Sequence, residues 1–157
     1  RDTSVTGVQT CALPIYDIGY SIDEDSHNKY SQKLILKEGL SDFSEKETEI
    51  ISCICRYHRG DLPDKKEDKL YKDFDKDEKR TVKRLGGILR IADGLEDDEI
   101  GEIKDIKINY NEEDYITEIS IYTEEEITPD IKTIIRKKNL FEYGFRTQVV
   151  LKFRKLK

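Results

Sequence analysis

Four side chains between residues 17 and 93 have the chemistry of metal ligands. They are Asp17, His27, His58 and Asp93. Histidine nitrogens and carboxylate oxygens from separate helices can together hold a divalent ion, which activates water and neutralises phosphate charge. Asp93 stands between apolar neighbours, and carboxylates are rarely buried unless they are paired or bind a metal. The alternative, that the two histidines only cap helices or complete a polar network in the core, stays open.

A second candidate site is a cluster of cations on and near the longest predicted helix. Clustered cations attract a polyanion, and arginine can engage phosphate oxygens through two parallel hydrogen bonds. The alternative is that this basic face serves only solubility, because lysine and glutamate are spread over the whole sequence. The predicted polyanion-binding residues are Arg56, Arg59, Lys79, Arg80, Lys83, Arg84 and Arg90.

Helices must position these residues. One helix is predicted over 26–38 and another over 45–58, the second preceded by an S-x-x-E capping box. The longest predicted helix spans 80–97, where apolar residues recur at three- and four-residue steps and can pack inward along one face. Gly86 and Gly87 weaken that helix, and we expect them to let another helix approach closely.

The second half of the chain changes to alternating apolar residues. Two strands, 103–110 and 115–121, are predicted to form a hairpin through an acidic turn. A helix over 129–141 and a strand over 147–153 follow. The sequence therefore predicts an α+β fold, with a helical bundle over residues 16–98 and a small β-β-α-β subdomain over 101–157.

Composition limits the function classes. The chain has 157 residues, 28 basic against 34 acidic, and a net charge of −6, which is typical of a soluble domain and gives no reason to expect a nucleic-acid partner. No apolar run approaches the roughly 18 residues of a membrane span, and no secretion signal is recognisable, so a cytoplasmic protein is expected. Cys53 and Cys55 point to different sides of a predicted helix, which suits neither a disulfide nor a metal clamp.

Residues 1–15 share no pattern with the rest of the chain. Val5 to Ile15 matches the translation of a common sequencing-library adapter, so we interpret 1–15 as a non-native leader and exclude it from fold reasoning. The alternative is an unusual natural tail. On the leader interpretation, an N-terminal part of the protein has been lost. Codon 16 lies where the adapter translation meets the native sequence, and its first base decides between tyrosine and histidine. Whether Tyr16 replaces a natural histidine therefore stays open.

Several ordered motifs together resemble the C-terminal HD-type module of the exopolyphosphatase and guanosine pentaphosphate phosphohydrolase (Ppx/GppA) family. The resemblance covers about residues 16–157. Tyr16 stands where that family has the histidine of its histidine-acid pair, and Tyr30 where it often has a second histidine. The motifs are Pro14–Gly19, His27–Ser31, Leu40–Glu47, Arg56–Arg59, Ile88–Leu95 and Lys137–Phe145.

The resemblance implies a parent hydrolase that removes terminal phosphate from polyphosphate or guanosine pentaphosphate. In that family the catalytic groups lie in N-terminal actin-like domains, which are missing here, and the parent is a homodimer that can hold Mg²⁺ or Mn²⁺. The fragment is then expected to contribute polyphosphate binding and dimerisation, and to be inactive by itself. Two alternatives stay open: a metal-dependent HD-type phosphohydrolase acting on nucleotides or other phosphate esters, and a purely structural dimerisation module.

Overall fold

The computed structural model describes residues 15–64, 66, 68–96, 100–126 and 136–156. Helices come first and a sheet follows, so the predicted α+β class is confirmed. A single 3-10 turn at Ile18–Ser21 precedes the first helix. The elements are α1 (His27–Glu38), α2 (Glu45–Arg56), α3 (Lys69–Asp73), α4 (Lys76–Leu95), β1 (Ile103–Asn111), β2 (Ile116–Thr123), α5 (Asn139–Phe145) and β3 (Gln148–Lys155).

The helix starts follow from local capping chemistry. At α2 the Ser44 side chain accepts a hydrogen bond from the Glu47 backbone, and the Glu47 carboxylate accepts one from the Ser44 backbone, which confirms the predicted capping box. Asp75 and Glu78 form the same reciprocal arrangement at the start of α4. Part of the helix predicted over 129–141 falls on residues outside the described ranges, and α5 continues past its predicted end to Phe145.

The sheet has three strands in the order β1-β2-β3. β1 and β2 form the predicted antiparallel hairpin, and β3 returns parallel to β2 through α5. β2 is central and mostly buried, whereas every residue of β1 after Ile103 is exposed. The cross-strand pairs place Ile106, Ile108 and Ile119 on one face, because directly opposed residues point to the same side.

α4 packs against both halves of the molecule. Leu85 and Leu89 join the core formed with α1 and α2, whereas Ile91 and Leu95 join the core formed with the sheet and α5. A Cβ added at Gly87 would lie 2.6 Å from the Phe141 backbone. The predicted close approach of a second helix at these glycines is therefore confirmed, and the partner is α5.

No helix among the described residues is both long and apolar enough to cross a membrane.

Candidate metal centre

Three of the four predicted ligands meet at one place in the helical half. Asp17 lies just before the 3-10 turn, His27 begins α1, and His58 follows the end of α2. Their ligand atoms all lie within 4.8 Å of one another. The two histidine side chains are buried, at 5% and 0% exposed, whereas 43% of the Asp17 side chain is exposed, so the cluster faces solvent on the aspartate side.

The distances within the cluster match those between ligands of one ion. The Nε2 atoms of His27 and His58 are 3.0 Å apart. Asp17 Oδ1 lies 3.0 Å from His27 Nε2 and 3.4 Å from His58 Nε2. Ligands at the roughly 2.0–2.1 Å metal distances of a tetrahedral site are separated by about 3.3 Å. The three atoms therefore already stand at a spacing that one divalent cation could bridge.

The hydrogen bonds behind the two rings determine which nitrogens are free to bind a cation. Nδ1 of His27 lies 2.7 Å from the Glu24 carbonyl, and Nδ1 of His58 lies 2.6 Å from the Cys55 carbonyl. A carbonyl only accepts, so each Nδ1 carries the proton and each Nε2 presents a lone pair to the cluster. Backbone carbonyls commonly orient metal-binding histidines in this way.

Two contacts among the described residues compete with this protonation scheme: the Nε2–Nε2 contact of His27 with His58, which as a hydrogen bond would need a proton on one Nε2, and the contact of His27 with Arg59. Arg59 Nη1 lies 3.2 Å from His27 Nδ1, and a guanidinium can only donate. If Arg59 donated to Nδ1, the Glu24 carbonyl would face a lone pair at 2.7 Å, which is repulsive. The shorter carbonyl contact therefore decides the tautomer, and Arg59 is a cation beside the cluster rather than the partner of the ring.

The protein alone leaves the cluster electrostatically unsatisfied. Two imidazole lone pairs and a carboxylate oxygen converge, and Asp17 Oδ1 is buried with no hydrogen-bond partner among the described residues despite its short contact with His27. Burial lowers the pKa of His58, so that ring is held neutral rather than as an imidazolium. A shared cation would satisfy all three atoms, and the donor set fits a divalent metal.

Local packing fixes the position of Asp17. The backbone nitrogen of Gly19 donates to Ser31 Oγ at 2.9 Å, which ties the 3-10 turn to α1. A Cβ added at Gly19 would lie 2.3 Å from the His27 carbonyl oxygen. Only glycine allows this approach, so Gly19 holds Asp17 and His27 at the spacing of the cluster.

Two buried or half-buried side chains hold the segment that carries His58. Arg90 donates to the carbonyls of Tyr57 and Gly60, at 3.3 and 2.5 Å. Asn28 donates to the carbonyls of Arg56 and Arg59, at 2.7 and 3.3 Å. These carbonyls lie at the last residue of α2 and just beyond it, where backbone carbonyls have no partner within the helix. Both side chains therefore fix the loop on which His58 stands.

Tyr16 lies against the cluster without joining it. Its ring stands edge-on to His58 with a centroid distance of 4.9 Å, and its hydroxyl donates to Glu96 at 2.8 Å. Burial and the bond to Glu96 raise the pKa of Tyr16 well above its usual value. The side chain therefore stays a phenol, which is a poor metal ligand, and its oxygen is engaged elsewhere.

Asp93 does not join the ligand set, contrary to the prediction. Its carboxylate instead forms an ion pair with Lys137, across the contact between α4 and the segment before α5. Both side chains are largely buried, at 17% and 23% exposed. Asp93 does have the partner that a largely buried acid needs, as predicted. That partner is Lys137, from the other half of the chain, and not a metal ion shared with the histidines.

The predicted polyanion-binding residues divide into two groups. Arg90 is only 5% exposed and donates to backbone carbonyls, so it is part of the interior. Arg56 contacts Asp68 and Gln32, and Lys79 donates to the carbonyls at the end of α3. Of the remaining cations, Arg80 and Arg84 are exposed, and Arg59 and Lys83 are half-buried.

Two cations of α4 lie beside α5, the half-buried Lys83 and the exposed Arg84. Lys83 lies over the Tyr143 ring at 4.4 Å, and Arg84 lies over the Phe145 ring at 5.1 Å. Arg84 Nε also donates to the Gly144 carbonyl at 3.2 Å, while Arg80 pairs with Asp77 at 3.0 Å on the surface. These contacts leave guanidinium and ammonium protons facing solvent, so the surface can still bind an anion.

The fold and the cluster together define a helical module with a two-histidine, one-carboxylate site, joined to a small sheet. The family model of Ppx/GppA phosphatase, domain III, matches residues 4–137 of this chain. The chain therefore belongs to the Ppx/GppA phosphatase family, and the resemblance seen in its motifs is confirmed. A search of the curated proteins found no match.

The matched range bears on two further predictions without testing them. It begins at residue 4, within the leader predicted to be non-native, and residues 1–14 lie outside the described part of the chain. The interpretation of 1–15 as an adapter translation stays a prediction. The match ends at Lys137, before α5 and β3, so the resemblance drawn for the last segment of the chain also stays a prediction.

Proposed function

We propose that this chain is the phosphate-chain-binding, cation-holding domain of an exopolyphosphatase-like phosphohydrolase, and that it also contributes to dimerisation. Membership of the Ppx/GppA phosphatase family supports the parent activity. The single observation that carries the cation-holding role is the convergence of Asp17, His27 and His58 with an unsatisfied buried oxygen among them. Hydrolysis in the parent is assigned to domains outside this chain.

The donor set favours a metal that accepts nitrogen ligands. Two of the three donors are imidazoles, which suit Zn²⁺ best, while the carboxylate suits Mn²⁺ as well. Mg²⁺ fits least, because it prefers oxygen ligands and retains its waters. A bound divalent cation neutralises charge on phosphate oxygens. Arg59, beside the cluster, supplies a second positive group at the same place.

Lys83 and Arg84, the two cations of α4 beside α5, provide the second contact with a phosphate chain in this proposal. Lys83→Ala combined with Arg84→Ala removes two positive charges beside α5, and should weaken binding of a long-chain polyphosphate about tenfold at low salt, equivalent to about 1.4 kcal/mol. Raising the ionic strength should reduce the difference, because exposed charges are screened. Fluorescence anisotropy with labelled polyphosphate measures both effects.

A charge-matched control separates a binding surface from general attraction. Lys152→Ala combined with Arg154→Ala removes the same charge from β3, where both residues pair with Glu118. This control should change the affinity less than twofold. Equal losses in the two double variants would contradict a specific α4 surface.

A metal-dependent phosphohydrolase acting on nucleotides or other phosphate esters is the second candidate function. The specific observation that favours it is again the two-histidine, one-carboxylate cluster, which is open to solvent on the aspartate side. Hydrolysis of a nucleoside triphosphate by the purified chain with Mn²⁺, lost in His58→Ala, would support this candidate over simple cation holding. Turnover retained in His58→Ala would reject it.

A further inference from the structure

The outer edge of β1 is open. β1 is paired with β2 on one side only, and among the described residues no strand lies along its other side. Such an edge presents unpaired backbone N–H and C=O groups and can accept another strand. The strand is nine residues long, and its one irregularity lies at its start, between Ile103 and Asp105. The rest of the edge is regular enough to continue a sheet.

The edge also exposes apolar side chains. Ile106 and Ile108 are 45% and 64% exposed, and Ile88 of α4, which faces them, is 42% exposed. The three line a groove of about 360 Å³ between α4, α5 and the sheet. Burying these side chains would be favourable at about 25 cal/mol per Å² of apolar surface, and the described part of the chain leaves them in solvent.

The sequence of β1 is complementary to itself in one antiparallel register. With Ile108 opposite Ile108 of a second copy, Ile106 falls opposite Tyr110, and Lys107 falls opposite Asn109. Apolar residues then meet apolar residues on the face towards the helices, and polar residues meet on the other face. Because opposed residues share a face, both copies would extend one continuous apolar strip.

Each neighbouring register meets a conflict of charge, of strand geometry or of strand length. A register centred on Lys107 sets that lysine directly opposite its own copy, and like charges directly opposite are destabilising. A register centred on Ile106 sets Lys104 opposite Ile108 and runs into the irregular start of the strand. One centred on Asn109 carries Ile106 opposite Glu112, beyond the strand. Only the register centred on Ile108 avoids these conflicts.

We propose that a second copy of this chain docks on β1 by antiparallel strand addition centred on Ile108, which makes a six-stranded sheet across a two-fold axis. A two-fold axis is the commonest symmetry of soluble dimers, and it requires a self-complementary surface of this kind. The inference rests on the dimerisation in the proposed function and names the surface responsible.

The first experiment measures assembly of the full chain by sedimentation equilibrium. The wild type should be a concentration-dependent dimer, and Ile108→Lys should raise the dissociation constant at least tenfold because it places two buried charges opposite each other. Val150→Lys is the matched control, since Val150 is an exposed apolar residue on β3 and is 38% exposed. It should leave the dissociation constant unchanged. Circular dichroism of both variants verifies folding.

The second experiment tests the register by oxidation of single cysteines in a Cys11→Ser background, with Cys53 and Cys55 buried. Ile108→Cys should form a disulfide-linked dimer, whereas Lys107→Cys should not, because its copy lies about 7–8 Å away in this register. A monomeric wild type would overturn both the proposed dimerisation and this surface. A dimer that Ile108→Lys leaves intact and that does not crosslink through Ile108→Cys would overturn this surface alone.

Discussion

The two halves of the molecule bury different kinds of polar side chain. The described residues of the helical half bury ionisable groups and amides, whereas those of the sheet half bury only hydroxyls. The buried hydroxyl groups of the sheet half can form hydrogen bonds with one another, as when Thr147 Oγ1 lies 2.8 Å from Thr117 Oγ1. The buried polar residues are His27, Asn28, Ser31, Gln32, Thr48, Ser52, His58, Asp68 and Arg90 in the first half, and Thr117, Ser120, Thr123 and Thr147 in the second.

Buried ionisable groups are costly unless each has a partner, so their concentration in the helical half makes that half the candidate for a functional site. The sheet half resembles a packing unit whose two edge strands are β1 and β3. The helical half contains both a completed network and an incomplete one. Asp68 accepts from Tyr57 at 2.7 Å and from the Tyr71 backbone at 3.1 Å, whereas Asp17 Oδ1 has no donor among the described residues.

The largest expected effect is a difference in stability between the alanine variants of these two acids. Asp68→Ala should lower the free energy of unfolding by about 3 kcal/mol, because it leaves the buried Tyr57 hydroxyl and the Arg56 guanidinium without their partner. Asp17→Ala should change the stability of the metal-free protein by less than about 1 kcal/mol, since its oxygen lacks a donor to lose. Urea denaturation measures both. Equal losses would remove the distinction between the two networks.

The next effect tests how the two halves are joined. Gly87→Ala should destabilise the protein by about 2 kcal/mol, because its Cβ would lie 2.6 Å from the Phe141 backbone, which cannot move without displacing α5. Gly86→Ala gains the same helix propensity, and its Cβ would lie 3.2 Å from a Leu140 methyl and no nearer than 3.9 Å to any backbone atom outside α4 among the described residues, so it should lie within about 1 kcal/mol of the wild type. Thermal unfolding compares the pair. A neutral Gly87→Ala would show that the halves are not closely packed here.

The smallest effect concerns alkaline pH. Burial raises the pKa of Tyr71 to about 12, and Tyr71 is 3% exposed in the helical core. The unfolded chain releases this proton near pH 10, so the contribution of Tyr71 to stability is complete below pH 10 and is lost as the pH rises towards 12. Tyr71→Phe should therefore lose stability less steeply than the wild type between these pH values. Identical slopes would contradict the burial of this hydroxyl.

Sequence patterns predicted the features that depend on neighbours along the chain. The capping box at Ser44, the hairpin and the close helix approach at Gly87 each follow from local residue types, and the structure confirms them. Asp17, His27 and His58 could be named as ligands from their chemistry, although their convergence required the fold.

The sequence missed partners that carry no local signal. Lys137 pairs with Asp93 across 44 positions of chain. The carbonyls of Glu24 and Cys55 orient the two histidines, but every residue has a carbonyl, so composition cannot identify them. Arg90 is among the predicted polyanion-binding residues, whereas its side chain turns inwards to the end of α2. Such roles depend on where a long side chain ends, which periodicity does not determine.

The most direct test of the cation site is a titration of the full chain with Mn²⁺. Isothermal titration calorimetry measures the binding, and the electron paramagnetic resonance signal of free Mn²⁺ measures the unbound ion. The wild type should bind one ion per chain, and His58→Ala and Asp17→Asn should each weaken binding at least tenfold. Asp93→Asn should weaken binding less than threefold, because Asp93 pairs with Lys137 and acts on His58 only through its charge. Absence of binding by the wild type, or binding that the His58 and Asp17 variants leave unchanged, would contradict the account.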